Sequence, residues 1–210
     1  MPHIVLLGDS ILDNGAYVGR GQAAIDHLRR LLPSGWQATL LAVDGSITTG
    51  VERQLARLPA GATHLVISVG GNDALGYMDI LQEDAESAAE VIGRLADIQD
   101  QFAERYAAML EGVLTRGLPA ALCTIYNPNF PDDTLQRLAT TAASVFNDVF
   151  LGAAFAHGLP VLDLRLIFDE AADYANAIEP SSQGGQKIAR TIVQVVQEHD
   201  FAKARSAIFV

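Results

Sequence analysis

Ile4-Val5-Leu6-Leu7-Gly8-Asp9-Ser10 is the stretch on which the fold turns. Four apolar side chains with no polar alternation make a strand buried on both faces, as in the middle of a parallel sheet. The Gly-Asp-Ser that follows places a hydroxyl at the strand's C-terminal end, where α/β folds keep their chemistry. Four further runs have the same character: Ala38–Val43, Leu65–Val69, Ala120–Ile125 and Val161–Leu164, each with Gly, Asp or Asn at or near its end. Between them the apolar period changes to three or four residues. Val91, Leu95, Ile98, Phe102, Tyr106, Met109 and Val113 mark the longest helix. Leu135, Leu138, Ala142, Val145, Val149 and Ala153 mark the face of another, and a last helix begins near Gly184. Gly117 and Gly158 stand just past two helix ends. Strict alternation of strand and helix predicts a layered α/β fold.

The 210 residues suit one domain, and no linker, repeat or low-complexity tract divides them. Half the residues are apolar and 19% are charged, which excludes a disordered or fibrous chain. With 14 Lys+Arg against 25 Asp+Glu the net charge is −11, so nucleic acid and anionic membrane surfaces are not expected partners. A lone cysteine, Cys123, excludes an internal disulfide and a Cys-based zinc cluster. No uninterrupted apolar run reaches about 18 residues, so no membrane insertion is expected. The opening Met1-Pro2-His3 lacks the charged start and long apolar stretch of a secretory leader, and a cytoplasmic location is expected.

Three strand ends carry chemistry together. Strand one ends in Gly8-Asp9-Ser10, strand two in Val43-Asp44-Gly45, and strand three in Gly70-Gly71-Asn72-Asp73. Asp and Ser are also good helix caps, and glycines serve turns, so each block alone has a purely structural reading. As a set they give a nucleophile, Ser10, and three donors for a developing oxyanion: the Ser10 and Gly45 N–H groups and the Asn72 amide. Ala74 to Glu90, leaving the same edge, reads either as an irregular helix start or as a wall over the site.

These blocks resemble those of the SGNH hydrolases, the GDSL-type esterases and lipases, in order and spacing over almost the whole chain. The resemblance implies a single domain over residues 1–210, a flavodoxin-like three-layer α/β/α sandwich with a five-stranded parallel sheet. It also implies an acyl-enzyme mechanism on a small-molecule ester, without metal or cofactor. The late block departs from the family. In Asn176-Ala177-Ile178-Glu179-Pro180-Ser181, Glu179 holds the position of the family's general-base His and Asn176 that of its Asp partner. Of the five histidines, His3, His64, His157 and His199 belong to the opposite edge of the sheet, and His27 to the first helix.

A carboxylate base would be repelled by a second carboxylate but accepts a hydrogen bond from an amide, so Asn176 with Glu179 is a coherent pair. Two functions follow. One is a serine ester hydrolase for small or medium acyl esters, with Ser10, Gly45, Asn72, Glu179 and Asn176 as its machinery. The other is a binding protein for a carbohydrate or acyl ligand on the same scaffold, without turnover. Asp9, Asp73, Tyr126, Asn127 and Arg165 are further candidates around the ligand. Asp163 and Arg165 form either a bracing ion pair or an anion site. Asp73 reads as a brace for the Asn72 loop, Asn147 as a structural hydrogen-bonder, and Asp13 with Asn14 as turn caps.

Overall fold

The computed structural model describes all residues 1–210. Six strands form one parallel sheet in the order β2-β1-β3-β4-β5-β6. They are β1 His3–Gly8, β2 Gln37–Leu40, β3 His64–Ser68, β4 Ala120–Cys123, β5 Val161–Leu162 and β6 Ile208–Phe209. Helices α1 (Ala24–Leu31) and α7 (Ser182–Glu198) pack on each other over one face of the sheet. The long α4 (Ala88–Leu114) and α5 (Asp133–His157) pack on each other over the other face, with the short α2 (Val51–Leu55) against α4. Single-turn helices α3 (Gly71–Leu75) and α6 (Leu164–Ile167) follow β3 and β5. The expected sandwich is present with six strands rather than five. The extra strand is only two residues long, too short to show a pattern, and adds to the edge at Val161–Leu162.

The strands form where the apolar runs stand. All six residues of β1 are buried, and Ile4, Val5, Leu6 and Leu7 are sealed from both faces. Several expected ends overrun the regular ladder. Past Leu40 the chain still follows β1, but the N–H groups of Leu41 and Ala42 both turn to the Leu6 carbonyl, which breaks the register. Past Cys123 the Asn147 side chain takes over. It accepts from the Ile125 N–H at 2.9 Å and donates to the Ile125 carbonyl at 3.0 Å, the structural role expected of it.

The helix ends follow side-chain chemistry. Ser87 caps α4, Asp132 caps α5, and Ser181 caps α7, which starts at Ser182 just ahead of Gly184. Gly158 closes α5 in the left-handed conformation. The buried face of α5 is displaced from the expected one. Phe146, Asn147, Phe150 and Ala154 are buried, whereas Leu138 is 46% exposed. The larger side chains go to the sheet and to Phe102 and Tyr106 of α4, with Phe102 and Phe146 ring centroids 4.9 Å apart. By length and composition alone α5 could cross a membrane. Here it is the layer helix that carries this aromatic cluster and the Asn147 clamp.

Candidate active site

Ser10 sits at the turn where β1 leaves the sheet. Gly8 permits that turn: it has φ 131°, and a Cβ there would stand 1.7 Å from the Ser68 carbonyl oxygen. The buried Gln54 side chain clamps the same residue, accepting from the Gly8 N–H at 2.7 Å and donating to the Gly8 carbonyl at 2.8 Å. Beyond it Asp9 Oδ1 accepts the Ile11 N–H at 3.1 Å, closing an Asx turn around Ser10. The Ser10 N–H makes no hydrogen bond within the protein and is free for a ligand.

The other two strand ends are tied to each other. Gly70, at φ 127°, packs flat against Phe150 and Phe102, where a Cβ would meet the Phe150 ring at 2.7 Å. From the following turn the Asn72 amide donates to the Ser46 carbonyl at 2.9 Å and keeps a second N–H. Gly45, one residue before Ser46, is exposed with φ 75° and an unpaired N–H, and it does not line the pocket that Ser10 and Asn72 share. Asp73 is buried and accepts both the N–H and the hydroxyl of Thr48, at 2.9 and 3.0 Å. It therefore locks the Gly45 loop to the Asn72 turn and does not line the ligand pocket, which corrects its assignment as a ligand contact.

Glu179 is buried and faces the same pocket as Ser10 and Asn72. Burial raises its pKa, the neighbouring Ser10 hydroxyl lowers it, and the charge of Asp44 adds to the rise. Its Oε2 has no hydrogen-bond partner. The loop from Tyr174 to Pro180 folds back on itself, with the Ala175 N–H on the Glu179 carbonyl at 2.8 Å. Asn176 does not serve as expected. Its Oδ1 accepts the N–H groups of Ile178 and Glu179 at 2.9 and 3.0 Å. It thus shapes the backbone beneath Glu179 and makes no bond to the carboxylate. The reason is local: an Asx turn closes two residues away more readily than a side-chain pair across the loop.

Asp9, Ser10, Asn72 and Glu179 open into a mostly apolar pocket between α4, α5 and the turn Met78–Gln82. Its walls include Leu75, Met78, Ile80, Leu81, Leu95, Ile98, Ala142, Val145 and Phe146. The stretch after Ala74 is thus a wall of the pocket. Tyr126 also lines it, with its hydroxyl on the Ile178 carbonyl at 2.7 Å and its ring stacked on Phe168. Asn127 does not, since its carbonyl is taken by the Tyr174 hydroxyl at 2.7 Å. Arg165 lies outside as well and makes the bracing ion pair, with Nε and Nη2 on the two Asp163 oxygens at 2.7 and 2.5 Å. None of the five histidines lines the pocket. His27 lies against the Ser182 hydroxyl at 3.0 Å, at the start of α7.

Two contacts had no strong sequence signal. Asn14 is fully buried, accepts the Ala24 N–H at 2.8 Å and donates to the Pro180 carbonyl at 3.2 Å. It joins the Ser10 loop to the Glu179 loop, a larger role than the turn cap expected of it. Asp13 accepts the Asp44 N–H at 3.0 Å, and Tyr17 donates to the Asp44 carboxylate at 2.9 Å. That pair builds an acidic rim beside the Gly45 N–H.

Solved structures confirm the architecture. A G-D-S-L family lipolytic protein of Veillonella parvula superposes with a TM-score of 0.69 at 17% identity, covering 95% of this chain and 100% of its own. An extracellular lipase of Streptomyces rimosus gives 0.65 at 18%, with 95% and 100% covered. A psychrotrophic esterase of Pseudoalteromonas, in a structure inhibited by monoethylphosphonate, gives 0.62 at 15%, with 94% and 98% covered. No curated protein matches the chain. The profile of the GDSL-like lipase/acylhydrolase family matches residues 6–187, from β1 through the Glu179 loop into α7. The chain belongs to the GDSL-like lipase/acylhydrolase family.

Proposed function

We propose that the protein is a serine ester hydrolase for small or medium, uncharged acyl groups. The observation that carries this reading is the convergence of Ser10, the Asn72 amide and the buried Glu179 carboxylate on one apolar pocket. Glu179 takes the proton from the Ser10 hydroxyl as Oγ attacks the ester carbonyl. The oxygen that becomes negative is met by the Ser10 N–H, the Asn72 amide and the Gly45 N–H. Glu179 then hands the proton to the departing alkoxide, leaving an acyl-Ser10 ester. Water attacks that ester, losing its proton to Glu179, and Ser10 recovers its hydroxyl. A buried carboxylate with a raised pKa is a stronger base than an exposed one, which suits it to the position of an imidazole. The acyl chain lies among Ile98, Ala142 and Phe146, and the leaving group turns towards the rim of Asp44 and Tyr17.

An activated fluorophosphonate followed by peptide mass spectrometry tests the reading. Label is expected on Ser10 alone, and none is expected on Ser10→Ala. Glu179→Gln is expected to lower kcat by ~10²–10⁴, the range for a general base. Asn72→Ala is expected to lower it by ~10²–10³, the range for one oxyanion donor. An unlabelled wild type that still binds an ester analogue would make the site a binding pocket without turnover.

A further inference from the structure

Two carboxyls reach the pocket with an oxygen that has no partner, Asp9 Oδ2 and Glu179 Oε2. Their surroundings differ. Asp9 is 1% exposed and has one oxygen on the Ile11 N–H. The other oxygen lies against Gly71, 3.8 Å from where a Cβ of that residue would stand. The ionisable groups that face Asp9 are Glu179 from the loop before α7, Asp73 from α3, Cys123 of β4 and Tyr126 just beyond it. All four are acids, and no Lys, Arg or His is among them. Glu179 has the Ser10 hydroxyl beside it and is 7% exposed. Two buried carboxylates without a cation do not both stay ionised. Of the pair, the deeper and less solvated group keeps the proton.

We propose that Asp9 is a positioning residue that holds the single proton of an Asp9–Glu179 carboxyl pair, so that Glu179 remains the only charged carboxylate facing Ser10. This rests on the reading of Glu179 as the base. Burial, with the charges of Glu179 and Asp73, lifts Asp9 from 3.8 to about 7, against the pull of the Ile11 and Gly70 N–H groups. Once Asp9 ionises, its charge stands beneath the Ser10 turn and opposes the negative charge that develops on the oxyanion. Turnover therefore has two limits, an acid one where Glu179 protonates and an alkaline one where Asp9 loses its proton. Both belong to the coupled pair.

The experiment is the pH dependence of kcat/KM on a neutral aryl ester from about pH 5 to about pH 9 in wild type, Asp9→Asn and Glu179→Gln. The wild type is expected to fall about 50-fold between pH 7 and pH 9, following one titrating proton that is half lost at about pH 7. Asp9→Asn, permanently neutral, is expected to change by less than about threefold over the same span. An alkaline limb that persists unaltered in Asp9→Asn, with Glu179→Gln inactive, overturns the assignment of Asp9 and leaves the base standing. A fully active Glu179→Gln overturns the base, and with it the pair. The infrared difference between wild type and Asp9→Asn decides the matter without any activity measurement, because only the Asp9 band is lost in the variant. The carbonyl stretch of a buried protonated carboxyl is expected at about pH 6 and lost by about pH 9. Its absence at the lower pH, or its survival at the higher one, overturns the proposal.

Discussion

Asp9 costs the fold stability that its neutral form does not. Its pKa is raised from 3.8 to about 7 in the folded chain, by burial first and by Glu179 and Asp73 after it. The folded state therefore binds more protons than the unfolded one between those values. The contribution is fully present below about pH 4, falls as pH rises, and is gone once pH passes about 7. The difference corresponds to an upper bound on the order of 4 kcal/mol. Urea denaturation is expected to show Asp9→Asn losing less stability than the wild type between about pH 4 and pH 8. Parallel curves for the two proteins would mean that Asp9 is ionised throughout. The single residues differ in how readable they were. Ser10, Asn72 and Glu179 stand in short blocks at strand ends or just before a helix, and the strand period places those blocks on one edge. The direction of the Asn176 side chain was not readable, because a backbone turn competes with a side-chain pair at the same spacing. Nor was Asn14, whose partner Pro180 lies 166 positions along the chain.

Among the elements, α4 does two jobs along one apolar stripe. Phe102, Tyr106, Met109, Leu110 and Val113 in its second half are buried, while Leu95 and Ile98 in its first half line the pocket. Periodicity found the stripe but could not show where packing stops and pocket begins. That boundary depends on where the sheet's edge lies in space. The same limit displaced the face of α5. Periodicity puts Ala142 on a packing face, yet with Ala139 and Ala143 it leaves the room that becomes the pocket. A helix wall of alanines sets the depth of an acyl site because a larger side chain would fill it. Ala142→Phe is therefore expected to lower kcat/KM for an octanoyl ester at least about tenfold and for an acetyl ester less than about threefold, a bulk effect confined to the longer chain. Equal losses on both esters would place the acyl chain elsewhere.

On the scale of the whole molecule, the three layers and the parallel sheet were legible because every central strand is a continuous apolar run. The two-residue β6 was not, since it carries no period. Charge was legible in amount but not in place. Of the acids behind the −11 of the sequence, Asp13 and Asp44 stand on the rim of the site and Glu179 inside it. No Lys or Arg lines the pocket. A substrate approaching Ser10 thus meets a field of one sign that salt screens over about 10 Å at 0.1 M. The expected outcome is a set of three salt dependences of kcat/KM measured at pH 7 on aryl esters of matched size. An ester with a carboxylate in its leaving group speeds up severalfold as salt rises from about 10 to about 300 mM, because repulsion is screened. A quaternary-ammonium ester slows by a comparable factor, because attraction is screened. A neutral ester changes little, which removes any general effect of salt on the fold. If all three respond alike, the rim of Asp13 and Asp44 does not face the path of the leaving group. The ester would then enter with its alcohol portion turned away from Gly45.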